Sequence, residues 1–128
     1  MNDYQIENNI TFLGYSNDVK SILDKSHFFI HTPISPDPFP TVIFEAIESR
    51  TPVISTDKGG VREILNDFNN GLLIDYNDIK KSSNLILNYI NNLDLQKNNI
   101  NNSVKFISDK FKKQDFSKKL TSLISSFE

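Results

Sequence analysis

Two carboxylates near the middle of the chain have a context that suits binding or catalysis. Asp37 lies between two prolines, which hold it on a stiff loop. Glu45 interrupts an apolar run from residue 42 to residue 47, and because charged residues are rarely buried alone, it either points into solvent or is held by a specific partner. Its two acceptor oxygens suit the paired hydroxyl donors of a ribose. A turn or Asx-capping residue at 37 and an ordinary exposed glutamate at 45 are the alternatives.

The two histidines have a helical metal-site spacing but fall on a predicted strand. Residues four apart along a strand are separated by roughly 13 Å, so His27 and His31 cannot share an ion, and the sequence predicts no metal site. His31 ends that strand and could donate a hydrogen bond to a ligand or serve as a structural histidine. Further along the chain, the backbone at Gly59 and Gly60 can approach a ligand closely or hold an anion.

Short motifs of several common enzyme classes are missing. The sequence contains neither G-x-G-x-x-G nor G-x-x-x-x-G-K-[ST], and it lacks G-x-S-x-G. These absences argue against dehydrogenase, P-loop and hydrolase functions.

Short apolar strands alternating with helical segments must position these residues. The pair Asn17-Asp18 supplies an N-cap for a first helix, and Pro40 suits the start of another that runs to about Ser49. The aromatic and β-branched residues at 28–30 are typical of a central strand that is covered on both faces. Strands are predicted at 10–13, 28–30, 52–55 and 72–74, with a short helix over 61–65 and three helices after residue 77, the last with an apolar face from Phe116 to Phe127.

The predicted fold is therefore α/β, a Rossmann-like open parallel sheet of about four strands with flanking helices and a C-terminal helical segment. In such a sheet ligands bind beyond the carboxyl ends of the strands, which here means the loops after Gly14, His31 and Ser55. The helix that begins at Pro40 would add free N–H groups and a positive dipole end to this rim. Such an end is suited to a phosphate or to sugar hydroxyls.

The composition indicates a globular domain, and the absence of cysteine fits a reducing compartment. Of the 128 residues, 38% are hydrophobic and 23% are charged, so one domain with one core is expected over residues 1–128. A net charge of -2 gives no general attraction to nucleic acid. The apolar runs are too short to span a membrane, no signal peptide is evident and cysteine is absent, so we expect a cytoplasmic location.

One stretch departs from this overall charge balance. Residues 105–119 contain six lysines and two aspartates. A basic amphipathic helix in this stretch could associate weakly with an anionic membrane surface, such as the inner face of the cell membrane. A solvated helix face opposite an apolar stripe is the other interpretation.

Three segments together resemble a known family. They are DPFPTVIFEAI at 37–47, PVISTDKGGVREI at 52–64 and NGLL at 70–73. Their order and spacing resemble the donor-binding domain of the group 1, family 4 retaining glycosyltransferases of GT-B fold, over essentially the whole chain. The resemblance implies transfer of a hexosyl unit from a nucleoside diphosphate sugar to an acceptor, with retention of configuration. It further implies no cofactor, no essential metal and a place in bacterial polysaccharide or glycan biosynthesis.

The resemblance also implies roles for individual residues. Asp37 and Glu45 stand where the family has two glutamates separated by seven residues. Asp37 would be the catalytic residue that contacts the donor sugar near the reacting centre, and Glu45 would bind the ribose hydroxyls. The other implied donor-binding residues are Phe39, Pro40, Thr41 and Val42, whose backbone would cradle the sugar and distal phosphate, and Gly14 and Tyr15 beside the base. His31, Gly59 and Gly60, from the rim described above, complete the candidate site.

Several departures from the family pattern bear on activity. Asp37 is one methylene shorter than glutamate, and Arg50 stands where a left-handed glycine often ends the helix. The strand and helix that carry an Arg and a Lys for the diphosphate have no counterpart before Gly14, and Lys58 or Arg62 would be weak substitutes. We therefore expect one donor-binding domain of a larger two-domain enzyme. By itself it should be inactive for two reasons: the N-terminal acceptor domain is missing, and so are the Arg and Lys whose positive charge the leaving diphosphate needs.

Two other hypotheses remain open from the sequence. A non-catalytic nucleotide-sugar-binding or interaction module, derived from a glycosyltransferase, would use the same rim but release no nucleotide. A different open α/β protein would use Asp37 and Glu45 only structurally, and UDP would then leave residues 39–45 and the Gly59-Gly60 turn unperturbed.

Overall fold

The computed structural model of the chain describes residues 6–65 and 69–110. After a short 3-10 helix at Glu7–Asn9, these residues form three strands and five α-helices. The strands are β1 (Phe29–His31), β2 (Val53–Thr56) and β3 (Leu72–Ile74). The helices are α1 (Val19–Asp24), α2 (Thr41–Glu48), α3 (Val61–Leu65), α4 (Ile79–Ile90) and α5 (Leu93–Lys110).

The three strands form one parallel sheet in the order β1, β2, β3. Phe29 pairs with Val53 at the start of β1, and Thr56 pairs with Ile74 at the end of β3. Every residue of β2 is buried, because this strand has a neighbour on each side. The predicted α/β class with a Rossmann-like parallel sheet is confirmed.

Two details of the predicted sheet are wrong. Residues 10–13 form no strand, and the side chains of Phe12 and Leu13 are exposed. β1 is an edge strand rather than a central one, with Ile30 56% exposed. The two differences go together: residues 10–13 do not pair with the outer edge of β1, so within the described residues β1 stays at the edge of the sheet. The sheet therefore has three strands in this part of the chain instead of about four.

The helix predictions agree well with the structure. The Asp18 side chain caps α1 by accepting a hydrogen bond from the Ser21 N–H at 3.1 Å. α2 follows Pro40, whose fixed φ suits a helix start. The predicted helix that includes Phe116 and Phe127 lies outside the described residues.

Helices pack on both faces of the sheet. On one face, residues of α2, α3 and α5 surround β2, and Phe106 of α5 closes this cluster. On the other face, Tyr89 of α4 packs against Ile54 and Ile74. This double cover holds the strands in register, so that the loops after the carboxyl ends of β1 and β2 start from fixed points.

Candidate functional site

The loop after β1, residues 32–40, is held against the end of β2 by two hydrogen bonds. Thr56 Oγ1 donates to the carbonyl of Pro33 at 3.4 Å. The N–H of Gly60 donates to the carbonyl of Asp37 at 2.8 Å. The structure thus brings together two of the three loops that the sequence assigned to one rim, the loop after β1 and the loop after β2.

The carboxylate of Asp37 has a structural contact and remains open to a ligand. Its Oδ1 accepts a hydrogen bond from the N–H of Phe39 at 2.9 Å, which is an Asx turn. The turn expected as the alternative role of Asp37 is therefore present. The residue is nevertheless exposed, and a carboxylate with one oxygen in a turn has acceptor capacity left for a ligand hydroxyl.

Gly59 and Gly60 lie against the backbone of the Asp37 loop. A Cβ on Gly59 would come within 2.7 Å of the Asp37 nitrogen, and a Cβ on Gly60 within 2.9 Å of the carbonyl carbon of Pro38. Such contacts are far closer than the usual 3.5–4.0 Å between carbon atoms. The sequence indicated a close approach at these glycines, and in the structure the group that approaches is the loop carrying Asp37.

Glu45 points away from the core in the second turn of α2. Ile43, Ala46 and Ile47 of the same helix are buried, whereas Glu45 is exposed. No hydrogen bond or ion pair to its carboxylate occurs within residues 6–65 and 69–110. Of the two placements that the sequence left open, the structure has the solvent-facing one, which leaves both carboxylate oxygens available to a ligand diol.

The N-terminus of α2 is an open hydrogen-bonding site. No side chain caps it, since the N-cap position is the buried Pro40. The N–H groups of Thr41 and Val42 donate to no acceptor in the described part of the chain, while the N–H of Ile43 already donates to the Pro40 carbonyl. The Phe39 N–H is engaged by Asp37. Pro40, as a proline, has no N–H to give, so any contact of these two residues with a donor would use other groups.

His31 lies at the carboxyl end of β1, beside the end of β2. Its Nδ1 is 3.2 Å from Oγ of Ser55, and its ring stacks on Phe29 with the ring centres 6.1 Å apart. Partial burial lowers the pKa of His31, and the nearby Asp37 carboxylate opposes this shift. Ser55 is fully buried and so cannot act as a nucleophile toward a substrate. It is a residue that the sequence analysis did not single out, because its partner is 24 residues away.

The remaining predicted loop, the one at Gly14, has no hydrogen bond to this site in the described residues. Gly14 has a left-handed φ of 67°, and a Cβ there would meet no atom within 4 Å. The side chain of Tyr15 is 91% exposed. The described residues contain no hydrogen bond from either residue to the Asp37 loop or to α2, so their predicted place beside the base stays a prediction.

The two cations suggested as phosphate ligands are engaged elsewhere on the rim. Arg62 forms an ion pair with Asp57. Lys58 Nζ donates to the Tyr76 hydroxyl at 3.0 Å, which lowers the pKa of Tyr76. All four side chains line a cavity of about 480 Å³ between the turn after β2 and the start of α4. Both cations therefore already have partners in this cavity, and neither Asp37 nor α2 is among its described lining residues.

Neither a metal site nor a membrane-spanning helix has a candidate in the part of the chain that the structure describes. Residues 6–65 and 69–110 contain no group of three or more histidine, aspartate or glutamate side chains that could hold a metal ion. None of the helices in this part of the chain is long and apolar enough to cross a membrane. The basic stretch 105–119 lies largely outside the described residues.

The fold and this rim together define a parallel α/β binding domain, with an open helix N-terminus flanked by two carboxylates. A sequence model of the family described as glycosyl transferases group 1 matches residues 1–106. The chain therefore belongs to the group 1 glycosyltransferases, and the family predicted from its three motifs is confirmed.

Among solved structures, the chain is similar to HepE (Alr3699) of Anabaena. The complex of HepE with UDP-glucose matches with a TM-score of 0.80 and 25% identity, over 95% of this chain and 34% of HepE. The complex with UDP gives 0.81 with the same identity and coverage, and the complex with UDP and glucose gives 0.80 over 95% and 33%. The chain thus spans about a third of the length of HepE. Curated protein sequences give no match.

Proposed function

We propose that this chain binds the donor of a retaining glycosyl transfer, in which a hexosyl unit moves from a nucleoside diphosphate sugar to an acceptor. The observation that carries the proposal is the uncapped N-terminus of α2 between Asp37 and Glu45. Its support from outside the site is family membership and similarity to HepE, which has been solved with UDP-glucose.

Each part of the rim has a group that matches part of such a donor. The free N–H groups of Thr41 and Val42, at the positive end of the α2 dipole, would bind the distal phosphate and the sugar. Glu45 would accept hydrogen bonds from both ribose hydroxyls. Asp37 would contact a sugar hydroxyl near the carbon where the bond to the diphosphate breaks. Gly14 and Tyr15 would border the base.

The charge around the rim bears on whether these residues catalyse transfer alone. When the bond to the diphosphate breaks, negative charge develops on the phosphate oxygens and must be stabilised. Lys58 and Arg62 are engaged by Tyr76 and Asp57. Lys110, which lines a cavity with Phe39 and Gly60, lies over the Phe106 ring. Each of these three described cations therefore has another contact, and the α2 dipole adds positive charge at the free N–H groups. We therefore propose that the 128 residues bind the donor without transferring the sugar. Transfer would require an acceptor domain, which in a full-length relative would lie in the part that this chain does not match.

A matched pair of variants on α2 tests donor binding. Glu45 and Glu48 are both exposed on this helix, but only Glu45 is assigned a ligand contact. We expect Glu45→Ala to weaken binding of UDP-glucose, GDP-mannose or ADP-glucose, whichever the wild type binds, by about tenfold to a hundredfold, because a charge-assisted hydrogen bond is lost. Glu48→Ala should bind like the wild type. Equal affinity of all three proteins in calorimetric titrations would contradict the ribose assignment.

The second candidate is a non-catalytic nucleotide-sugar-binding module. It is favoured by the engagement of Asp37 in an Asx turn and of both nearby cations in other contacts. Release of nucleotide separates the two candidates: an enzyme releases UDP from a bound UDP-sugar when acceptor and acceptor domain are supplied, and a binding module does not. We further propose a cytoplasmic location, where nucleotide sugars are available to either function.

A further inference from the structure

His31 and Ser55 form a fixed pair where β1 and β2 end. They are partners in the strand register, and their side chains meet with Nδ1 of His31 3.2 Å from Oγ of Ser55. The Ser55 hydroxyl also lies 3.1 Å from the carbonyl of its neighbour Thr56, to which it donates. Because Ser55 is fully buried, this hydroxyl has no access to water and must use these two contacts.

The hydrogen-bond pattern decides which nitrogen of His31 carries the proton. A serine hydroxyl has one proton, and here it goes to the Thr56 carbonyl. Both contacts of Ser55 are satisfied only if Nδ1 of His31 is the donor and Ser55 Oγ the acceptor. In neutral histidine the other ring nitrogen, Nε2, then carries a lone pair and can only accept.

The surroundings of His31 keep the ring neutral near pH 7. Partial burial lowers its pKa below the usual value, which disfavours the imidazolium form. Asp37, on the loop after β1, is the charged group that opposes this effect. Ser55 on β2 and Phe29 on the same strand contact the ring without carrying charge.

We propose that Nε2 of His31 accepts a hydrogen bond from a hydroxyl of the donor's sugar, and that Ser55 is the positioning residue that fixes this acceptor. The chemistry excludes the phosphates, since an ionised phosphate oxygen cannot donate a hydrogen bond, and the nearby Asp37 carboxylate, assigned to the sugar, favours a sugar hydroxyl over the ribose or the base. The inference rests on the proposed function, and it reverses the direction expected from the sequence, where His31 was a donor. It places His31 with Asp37 in recognition of the sugar, apart from the nucleotide contacts of Glu45.

The first experiment measures the tautomer of the free protein and needs no ligand. Nitrogen-15 NMR of the imidazole rings distinguishes a protonated from an unprotonated ring nitrogen. We expect Nδ1 of His31 to carry the proton near pH 7 in the wild type, and we expect Ser55→Ala to shift the signals toward a mixture of tautomers. A proton on Nε2 in the wild type would overturn the inference and leave the proposed function standing.

The second experiment compares UDP-glucose with UDP in calorimetric titrations of three variants. His31→Asn keeps an amide near the position of Nδ1 and loses the ligand contact, whereas His31→Gln places an amide oxygen near the position of Nε2. We expect His31→Asn to weaken UDP-glucose binding by about fivefold to tenfold while UDP binding stays within about twofold, and His31→Gln to recover most of the loss. His27→Asn, at an exposed histidine outside the site, is the matched control.

Each outcome separates this inference from the proposed function. Equal losses for UDP-glucose and UDP would place His31 at the nucleotide and overturn the sugar contact. Wild-type binding of UDP-glucose with no effect of His31→Asn would overturn the inference alone. Failure of the wild type to bind UDP-glucose, GDP-mannose and ADP-glucose would overturn both. As a further check, UDP-glucose affinity of the wild type should fall between about pH 7 and about pH 5, as Nε2 takes up a proton, and that of His31→Gln should not.

Discussion

Replacing Gly60 with alanine tests whether the turn after β2 positions Asp37 or contacts the ligand itself. Gly60 does not have a left-handed φ, so alanine fits its backbone conformation, and the new methyl group is the only change. That methyl carbon would lie 2.9 Å from the carbonyl carbon of Pro38 and closer still to its oxygen. The Asp37 loop must therefore move or the turn must open.

The size of this movement follows from the contact distances. Carbon atoms in contact are about 3.5–4.0 Å apart, and the Pro38 oxygen lies nearer to the new methyl than the carbonyl carbon does, so the loop has to retreat by roughly 1 Å or more. A retreat of this size lengthens the 2.8 Å hydrogen bond from Gly60 to Asp37 beyond a normal bond. We expect a stability loss of about 1–3 kcal/mol, the usual cost of overpacking. We also expect UDP-glucose affinity to drop by about tenfold, because the sugar contacts on the loop are displaced.

Gly71→Ala is the matched control for lost stability. A Cβ on Gly71 would come within 2.7 Å of the Val53 carbonyl, so it strains the core between β2 and β3 and leaves the Asp37 loop untouched. Both variants should unfold at lower urea concentration than the wild type. In titrations under conditions where each is folded, only Gly60→Ala should bind UDP-glucose more weakly. If Gly60→Ala binds like the wild type, or if Gly71→Ala loses as much affinity, the positioning role of the turn is refuted.

Two further predictions concern the stability of the fold. Arg50 has a left-handed φ of 55° at the end of α2, a conformation that costs a residue with a Cβ about 1 kcal/mol. Arg50→Gly should therefore raise the free energy of unfolding, measured by urea denaturation, by about that amount. A lower free energy of unfolding in the variant would show that the arginine side chain has a stabilising contact. Tyr89 is 2% exposed, its hydroxyl has no hydrogen-bond partner in the described residues, and burial raises its pKa to about 12. Tyr89→Phe should therefore be neutral or stabilising by up to about 1 kcal/mol in the same assay, and a loss above 1 kcal/mol would reveal a partner for the hydroxyl.

Local signals in the sequence were enough to place the helices. Asp18 caps α1 through its own side chain, and Pro40 marks the start of α2, so each boundary depends on residues within one turn. Strand pairing is different, because it depends on what lies alongside. The apolar segment 10–13 has the composition of a strand, yet composition cannot say whether it pairs with a neighbour, and it does not pair with the free edge of β1. The same limit explains why β1 was expected at the centre of the sheet.

The candidate site shows the same contrast between what local sequence signals indicate and what depends on contacts between distant residues. The residue types at Asp37, Glu45 and the glycine pair, together with the family resemblance, located the rim. The contacts within the rim could not be derived, because they join residues far apart in sequence. His31 and Ser55 meet only through the β1–β2 register, and Gly60 reaches Asp37 across 23 positions. The roles of Ser55 and of the glycine turn as supports for the loop therefore emerge only in three dimensions.

The most direct test of donor binding at this rim is an NMR titration of the nitrogen-15-labelled chain with UDP-glucose. We expect saturable amide shift changes at Thr41, Val42 and Glu45 and along residues 31–39, with little change at the cavity lined by Lys58 and Tyr76. No saturable change in residues 31–45 with UDP-glucose, GDP-mannose or ADP-glucose would contradict the central claim. Changes confined to the Lys58 cavity would contradict it as well.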